Sequence, residues 1–168
     1  MYFRHILGIQ DTADRKITKR KTVRAVIFVD GKLLMIQTKR GDIKFPGGGM
    51  KPEEDFFRAI SREVKEETGY TVTKVMENVG EIIENYDDSY EAGVVFSMTS
   101  AFYICEVNPE SCRQELNDYE QELDFKPVFI TAEEAYVCNE ELLLRDLEHR
   151  ITFLPREICA LKEIIKYI

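Results

Sequence analysis

The sequence predicts an α/β protein. Two β-rich runs flank Asp30-Gly31, an amphipathic helical pattern spans residues 53–68, and β-like stretches resume before two further helical segments close the chain. The 168 residues suit one domain, 44% of them apolar, so the chain can bury a core. Residues 1–168 are therefore read as a single domain, with an N-terminal extension over 1–20 and a C-terminal helix over 155–168.

Residues 10–21 are polar and basic (Arg15, Lys16, Lys19, Arg20, Lys21) and read as a loop entering the first strand, residues 22–29. Asp30-Gly31 then joins that strand to residues 32–38, because a two-residue turn needs the positive φ that glycine tolerates. Residues 39–44 read as a polar turn, and Phe45-Pro46-Gly47-Gly48-Gly49 as a loop. The helix over 53–68 has acids in its first turn, Pro52 before it and Gly69 to cap its end. Strands follow over 71–79, 81–86 and 94–107, then an acidic loop over 108–124 and a short strand over 125–130. Thr131-Ala-Glu-Glu134 is a capping box that opens a helix through Tyr136. Residues 155–168 place Ile158, Leu161, Ile165 and Ile168 on one helical face, a core-packing helix with a dimer or partner helix as the alternative.

The net charge is −8. Such a field repels polyanions and argues against a nucleic-acid polymer or a membrane surface as partner. A small phosphorylated ligand remains open, because a pocket or a metal ion outweighs the global charge locally. Cys105, Cys112, Cys138 and Cys159 form no C-x-x-C pair, so they read as free thiols in a reducing compartment rather than a zinc or disulfide framework. The first ten residues lack a secretory pattern, and no apolar run reaches the ~18 residues of a membrane span. The expected location is the cytoplasm. His5 and His149 stand alone and take structural or solvated roles.

Chemistry concentrates in residues 48–70, GGMKPEEDFFRAISREVKEETGY. On a helical wheel Glu63, Glu66 and Glu67 fall within about 100° of one another. Phe56, Ile60, Val64 and Phe57 form the apolar stripe, with Glu67 inside it and Glu63 at its border. Like charges beside an apolar face are costly unless a cation neutralises them. Three oxygen ligands of one sign suit a hard divalent ion, although an acidic flank on an ordinary amphipathic helix has the same spacing. Gly47-Gly48-Gly49 exposes backbone groups that can approach a phosphate or offer a carbonyl to a metal, and a plain tight turn uses the same residues.

This stretch resembles the Nudix box, G-x5-E-x7-R-E-U-x-E-E-x-G-U, where U is a bulky aliphatic residue. Gly48, Glu54, Arg62, Glu63, Val64, Glu66, Glu67 and Gly69 stand in register, and only Tyr70 departs from the pattern. With 9 Gly in the chain, and Arg and Glu counted likewise, a chance match is on the order of 10⁻⁵. The flanking elements extend the resemblance over about residues 20–150, and the fold it implies is an α/β/α sandwich with a mixed β-sheet.

The resemblance implies hydrolysis of a nucleoside diphosphate linked to a further moiety, with Mg²⁺ or Mn²⁺. By the same likeness Glu63, Glu66 and Glu67 hold metal with help from the Gly48 backbone, Arg62 orients the carboxylates, and Glu54 ties loop to helix. Gly47, Gly48 and Gly49 face the substrate, and Tyr86 is a candidate for stacking on its base. The general base is either a box glutamate or one of Glu115, Glu120 and Glu122. The basic group Arg15, Lys16, Lys19, Arg20, Lys21 and Arg24 is either solvated or in reach of a phosphate tail. The resemblance also makes a homodimer plausible. Two alternatives share the fold: a non-catalytic nucleotide-binding regulatory module, which would be expected to lose box acids, and an isomerase acting on a prenyl diphosphate.

Overall fold

The computed structural model describes residues 2–145 and 151–168; His149 lies outside them. Strands β1 (Phe3–Gly8), β2 (Ile17–Val26), β3 (Phe28–Val29), β4 (Lys32–Gln37) and β5 (Ile43–Lys44) precede helix α1 (Phe56–Thr68). Long strands β6 (Tyr70–Asp87) and β7 (Val95–Ser111) follow, then α2 (Asp118–Glu122), β8 (Lys126–Ile130), α3 (Ala132–Arg145) and α4 (Leu154–Ile165).

The strands form two sheets. One has the order β1-β6-β7-β2 and is mixed, with β1 parallel to β6, β6 antiparallel to β7 and β2 parallel to β7. The other joins β3, β5 and β8 to β4, all antiparallel. The expected strand over 22–29 therefore breaks at Ile27, where the chain passes from one sheet to the other. The turn after it is as expected, with φ of 50° at Asp30 and 77° at Gly31.

Period-two alternation explains the sandwich. On β4, Leu33 and Met35 face a core shared with Phe45, Phe102 and residues of α3 and α4, while Leu34 faces a second core under α1. Ile60 and Val64 of α1 are fully buried in that second core, beside Val23, Ala25 and Ile27 of the β2 segment. Both layers enclose the strands and hold the loop between β5 and α1 at the rim.

Several boundaries differ from the sequence reading. Residues 17–21, expected as loop, begin β2; this is an edge strand, where lysine and arginine remain solvated and discourage further pairing. The polar turn over 39–44 ends in β5. Helix α1 begins at Phe56, with Asp55 as N-cap accepting from Arg58 N at 2.8 Å, so the acids at 53 and 54 precede the helix. Phe56 and Phe57 stay 45% and 46% exposed rather than in the core, although Phe56 stacks on Tyr103 at 5.0 Å. Residues 71–79 and 81–86 belong to one strand with register shifts. The acidic loop is cut short at both ends of residues 108–124, by β7 through Ser111 and by α2. On α4, Leu154, Ala160, Leu161 and Ile164 are buried, while Ile168 lies beyond the helix and 64% exposed. The helix thus spends most of its apolar face on its own core. His5 pairs with Glu163 at 3.0 Å, and all four cysteines are free. Among the described residues no helix is long and apolar enough to cross a membrane.

Candidate active site

The glycine loop is pinned between β2 and α1. Ala25 N donates to the Pro46 carbonyl at 2.8 Å and Val23 N to the Gly48 carbonyl at 3.0 Å. Arg24 Nη1 donates to the Gly47 carbonyl, and Gly47 N donates to Glu67 Oε2 at 2.8 Å. Position 47 needs glycine, and Gly48 makes room for an acid. Gly47 has φ 139°, and a Cβ there would lie 2.1 Å from the Val23 carbonyl oxygen. At Gly48 a Cβ would sit 2.6 Å from the Glu63 carboxylate. The absent side chain is what lets that acid lie against the loop. The Gly48 carbonyl retains a second lone pair for another partner.

Helix α1 presents the acids as its wheel requires. Glu67 is 2% exposed and Glu63 8%, whereas Glu66 keeps 35% of its side chain in solvent. Arg62 braces them. It donates to both oxygens of Glu54 at 2.9 and 2.8 Å, to Glu63 at 2.6 Å, to Glu66 at 3.4 Å and to the Gly49 carbonyl at 3.1 Å. The Arg62 guanidinium holds the Glu54 carboxyl down at about 2, from an ordinary 4.5. Glu54 in return raises Arg62. Burial pushes Glu63 up, opposed by its bond to Arg62 and reinforced by Glu67 and Glu66. Tyr70, the one departure from the box, packs edge-on against Phe129 with ring centroids 5.9 Å apart.

Of the three acids proposed outside the box, Glu120 joins the cluster. Carboxylate oxygens of Glu63, Glu67 and Glu120 all lie within 4.8 Å of one another. Glu120 is 9% exposed, and burial raises its pKa, with Glu67 and Glu66 adding to the effect. It is the N3 residue of a capping box on α2, accepting from Asn117 N at 2.9 Å. Gln114 anchors the approach to α2 by donating to the Phe125 carbonyl at 3.1 Å and to the Glu67 carbonyl. Glu115 lines the same cleft but is 67% exposed and faces Lys65. Glu122 is exposed and lies outside the cleft. Among Glu115, Glu120 and Glu122, the Asn117-x-x-Glu120 capping-box spacing is the sequence signal that sets Glu120 apart.

The cleft encloses about 910 Å³. Lys44 lies among the acids, 3.0 Å from Glu67, and Arg20, Arg24, Lys51 and Arg156 supply further cations on the lining. Arg20 and Arg24 thus bring two members of the basic group to the cleft, while Arg15 and Lys16 pair with Asp87 and Glu91. Arg24 is buried with Nε unpartnered among the described residues, and burial, aided by Arg156, lowers its pKa to about 10. Arg156 is 3% exposed and bonds Glu84 at 2.9 Å and Glu157 at 2.6 Å. Glu157 also accepts from Phe45 N at 3.0 Å, tying α4 to the start of the glycine loop. Lys44, Arg156 and Glu157 escaped the sequence reading; charges on the buried face of the last helix were the available signal for the latter two.

Tyr86 lies in an adjoining cavity of about 540 Å³, with Tyr90, Phe96 and Phe153. Met98, Thr152 and Phe153 line both spaces, so the aromatic cavity continues the charged cleft. The converging carboxylates form an all-oxygen donor set, which suits a hard divalent ion, although Arg62 on Glu63 and Lys44 on Glu67 already neutralise part of their charge.

A family model described as NUDIX domain matches residues 18–154. The fold is similar to a solved NUDIX hydrolase from Nitrosomonas europaea, with 21% identity over 73% of this chain and 79% of that one, at a TM-score of 0.53. It is also similar to a MutT NUDIX hydrolase from Burkholderia pseudomallei, with 20% identity over 69% of this chain and 85% of that one, at a TM-score of 0.51. No curated protein matches the sequence.

Proposed function

The chain belongs to the Nudix family of hydrolases, which act on pyrophosphate bonds, and we propose that it is a Mg²⁺- or Mn²⁺-dependent enzyme cleaving a nucleoside diphosphate linked to a further moiety. One observation carries this reading: carboxylate oxygens of Glu63, Glu67 and Glu120, all largely buried, converge within 4.8 Å beside a glycine loop, while Glu66 lines the same cleft outside that triad with 35% of its side chain in solvent. In this reading Glu63, Glu66 and Glu67 hold the ion, assisted by the Gly48 carbonyl. The bound ion supplies charge neutralisation at the pyrophosphate and acidifies water.

The protein's own groups do the rest. Arg62 keeps the carboxylates in place through its fork of donors. Gly47, Gly48 and Gly49 let the phosphates approach the backbone, and Arg20 and Lys51 add positive charge at the cleft. Glu120 takes the proton of the attacking water, because its carboxylate lies within 4.8 Å of those of Glu63 and Glu67 on the same cleft. The water oxygen bonds to one phosphorus and stays there, the bond from that phosphorus to the bridging oxygen breaks, and the second phosphate leaves carrying the bridging oxygen. Tyr86 and its aromatic neighbours receive the base.

The reading is of a cytoplasmic enzyme, supported by the four free thiols, that works as one domain; a homodimer is the expectation of the family resemblance alone. The test is product release from nucleoside triphosphates, nucleotide sugars, ADP-ribose and dinucleoside polyphosphates with Mg²⁺ or Mn²⁺. Turnover of one class supports the proposal and names the moiety. Nucleotide binding without turnover of any would instead indicate a regulatory module. Light scattering tests the dimer.

A further inference from the structure

Strand β5 carries a lysine into the acid cluster. Lys44 Nζ lies 3.0 Å from Glu67 Oε1 and 4.0 Å from the centroid of the Phe125 ring. Its side chain is 12% exposed and that of Glu67 2%, so water screens the pair weakly. The other oxygen of Glu67 is already taken by Gly47 N at 2.8 Å. An ammonium and a divalent ion therefore compete for Oε1. Lys44 also lines the cleft, on a stem of four flexible methylenes, so an ammonium released from Glu67 stays within reach of an anion bound there.

We propose that Lys44 is an internal counter-cation: it neutralises Glu67 in the metal-free protein, gives way to the divalent ion, and then donates to a phosphoryl oxygen of the substrate. This rests on the functional reading above. The lysine offsets part of the repulsion among Glu63, Glu67 and Glu120 when no ion is bound. Because metal and phosphate each remove the reason for the ammonium to stay at Glu67, their binding is coupled. Lys44 is thus a positioning residue for the metal and a catalytic residue once it touches substrate.

The experiment titrates Mn²⁺ alone, by calorimetry, into the intact wild-type protein, Lys44→Met and Lys44→Arg. Lys44→Met is expected to bind Mn²⁺ about fivefold more tightly, with Lys44→Arg near wild type. In Mn²⁺-saturated protein, methylenediphosphonate is expected to bind Lys44→Met about tenfold more weakly, and Lys44→Arg again restores it. Lys44→Gln replaces the methionine variant if that one fails to fold. Unchanged or weaker Mn²⁺ binding, or unchanged diphosphonate binding, in the neutral variant overturns the proposal. If the wild type itself takes up no Mn²⁺, the proposal fails together with the metal-dependent function; if the wild type binds and the variants match it, only the role of Lys44 fails.

Discussion

Arg62 grips Glu54 with two hydrogen bonds, Nε to Oε1 at 2.9 Å and Nη2 to Oε2 at 2.8 Å, and so fastens the acid-bearing helix to the segment that precedes it. Lysine cannot reproduce this fork. Arg62→Lys is expected to lower turnover by about tenfold to a hundredfold, because the carboxylates it braces lose their fixed orientation. Steady-state kinetics checks this.

The same pair has an acid limit. The Glu54 carboxyl is depressed from 4.5 to about 2 in the folded protein. A depressed carboxyl contributes stability that is present above its unfolded value and lost as pH falls through its folded value. Urea midpoints of wild type and Glu54→Gln should therefore differ by a constant amount above pH 4.5 and converge as pH falls towards about 2. A difference independent of pH would contradict this.

Glu120 behaves oppositely. Its pKa is raised, chiefly by burial, so its contribution is present below the ordinary 4.5 and lost as pH rises through the folded value. Metal-free Glu120→Gln should melt higher than wild type near neutral pH, with the gain vanishing at acid pH. Glutamine preserves the capping box, which separates this effect from loss of the cap. The same variant should lose turnover by about a hundredfold or more while still binding Mn²⁺. Glu122→Gln, outside the cleft, should leave the rate within about twofold.

Gly48→Ala tests the approach of loop and acid. Its Cβ would lie 2.6 Å from the Glu63 carboxylate, which must move. The stability cost is expected to be small, about 1 kcal/mol or less, because the end of the flexible Glu63 side chain gives way. Mn²⁺ affinity should fall with it. Chemical denaturation and metal titration on the same sample read both.

The central chemistry was legible because α1 violates the ordinary separation of charge and apolar surface: Glu67 stands in the same stripe as Ile60 and Val64, and all three are buried. The hairpin was legible from Asp30-Gly31, which alone satisfies the turn. Edge strands were not. Residues 17–21 of β2 carry mostly polar side chains because one side of an edge strand meets water, so no hydrophobic alternation marks them. Phe3 was also silent, since its burial against Phe102 and Gly80 depends on β1 adding to β6. Helix α2 has five residues, too few for a periodic pattern, and only the box at Asn117 and Glu120 betrays it. Lys44 was hidden because nothing local to β5 reveals that Glu67, 23 residues later, will meet it.

The most direct test is calorimetric titration of Mn²⁺ into nucleotide-free wild type and Glu67→Gln. The account predicts saturable uptake by wild type and at least about tenfold weaker binding by the variant, with an unchanged circular dichroism spectrum. No uptake by wild type, or equal uptake by both, would contradict a divalent-ion site at Glu63, Glu66 and Glu67.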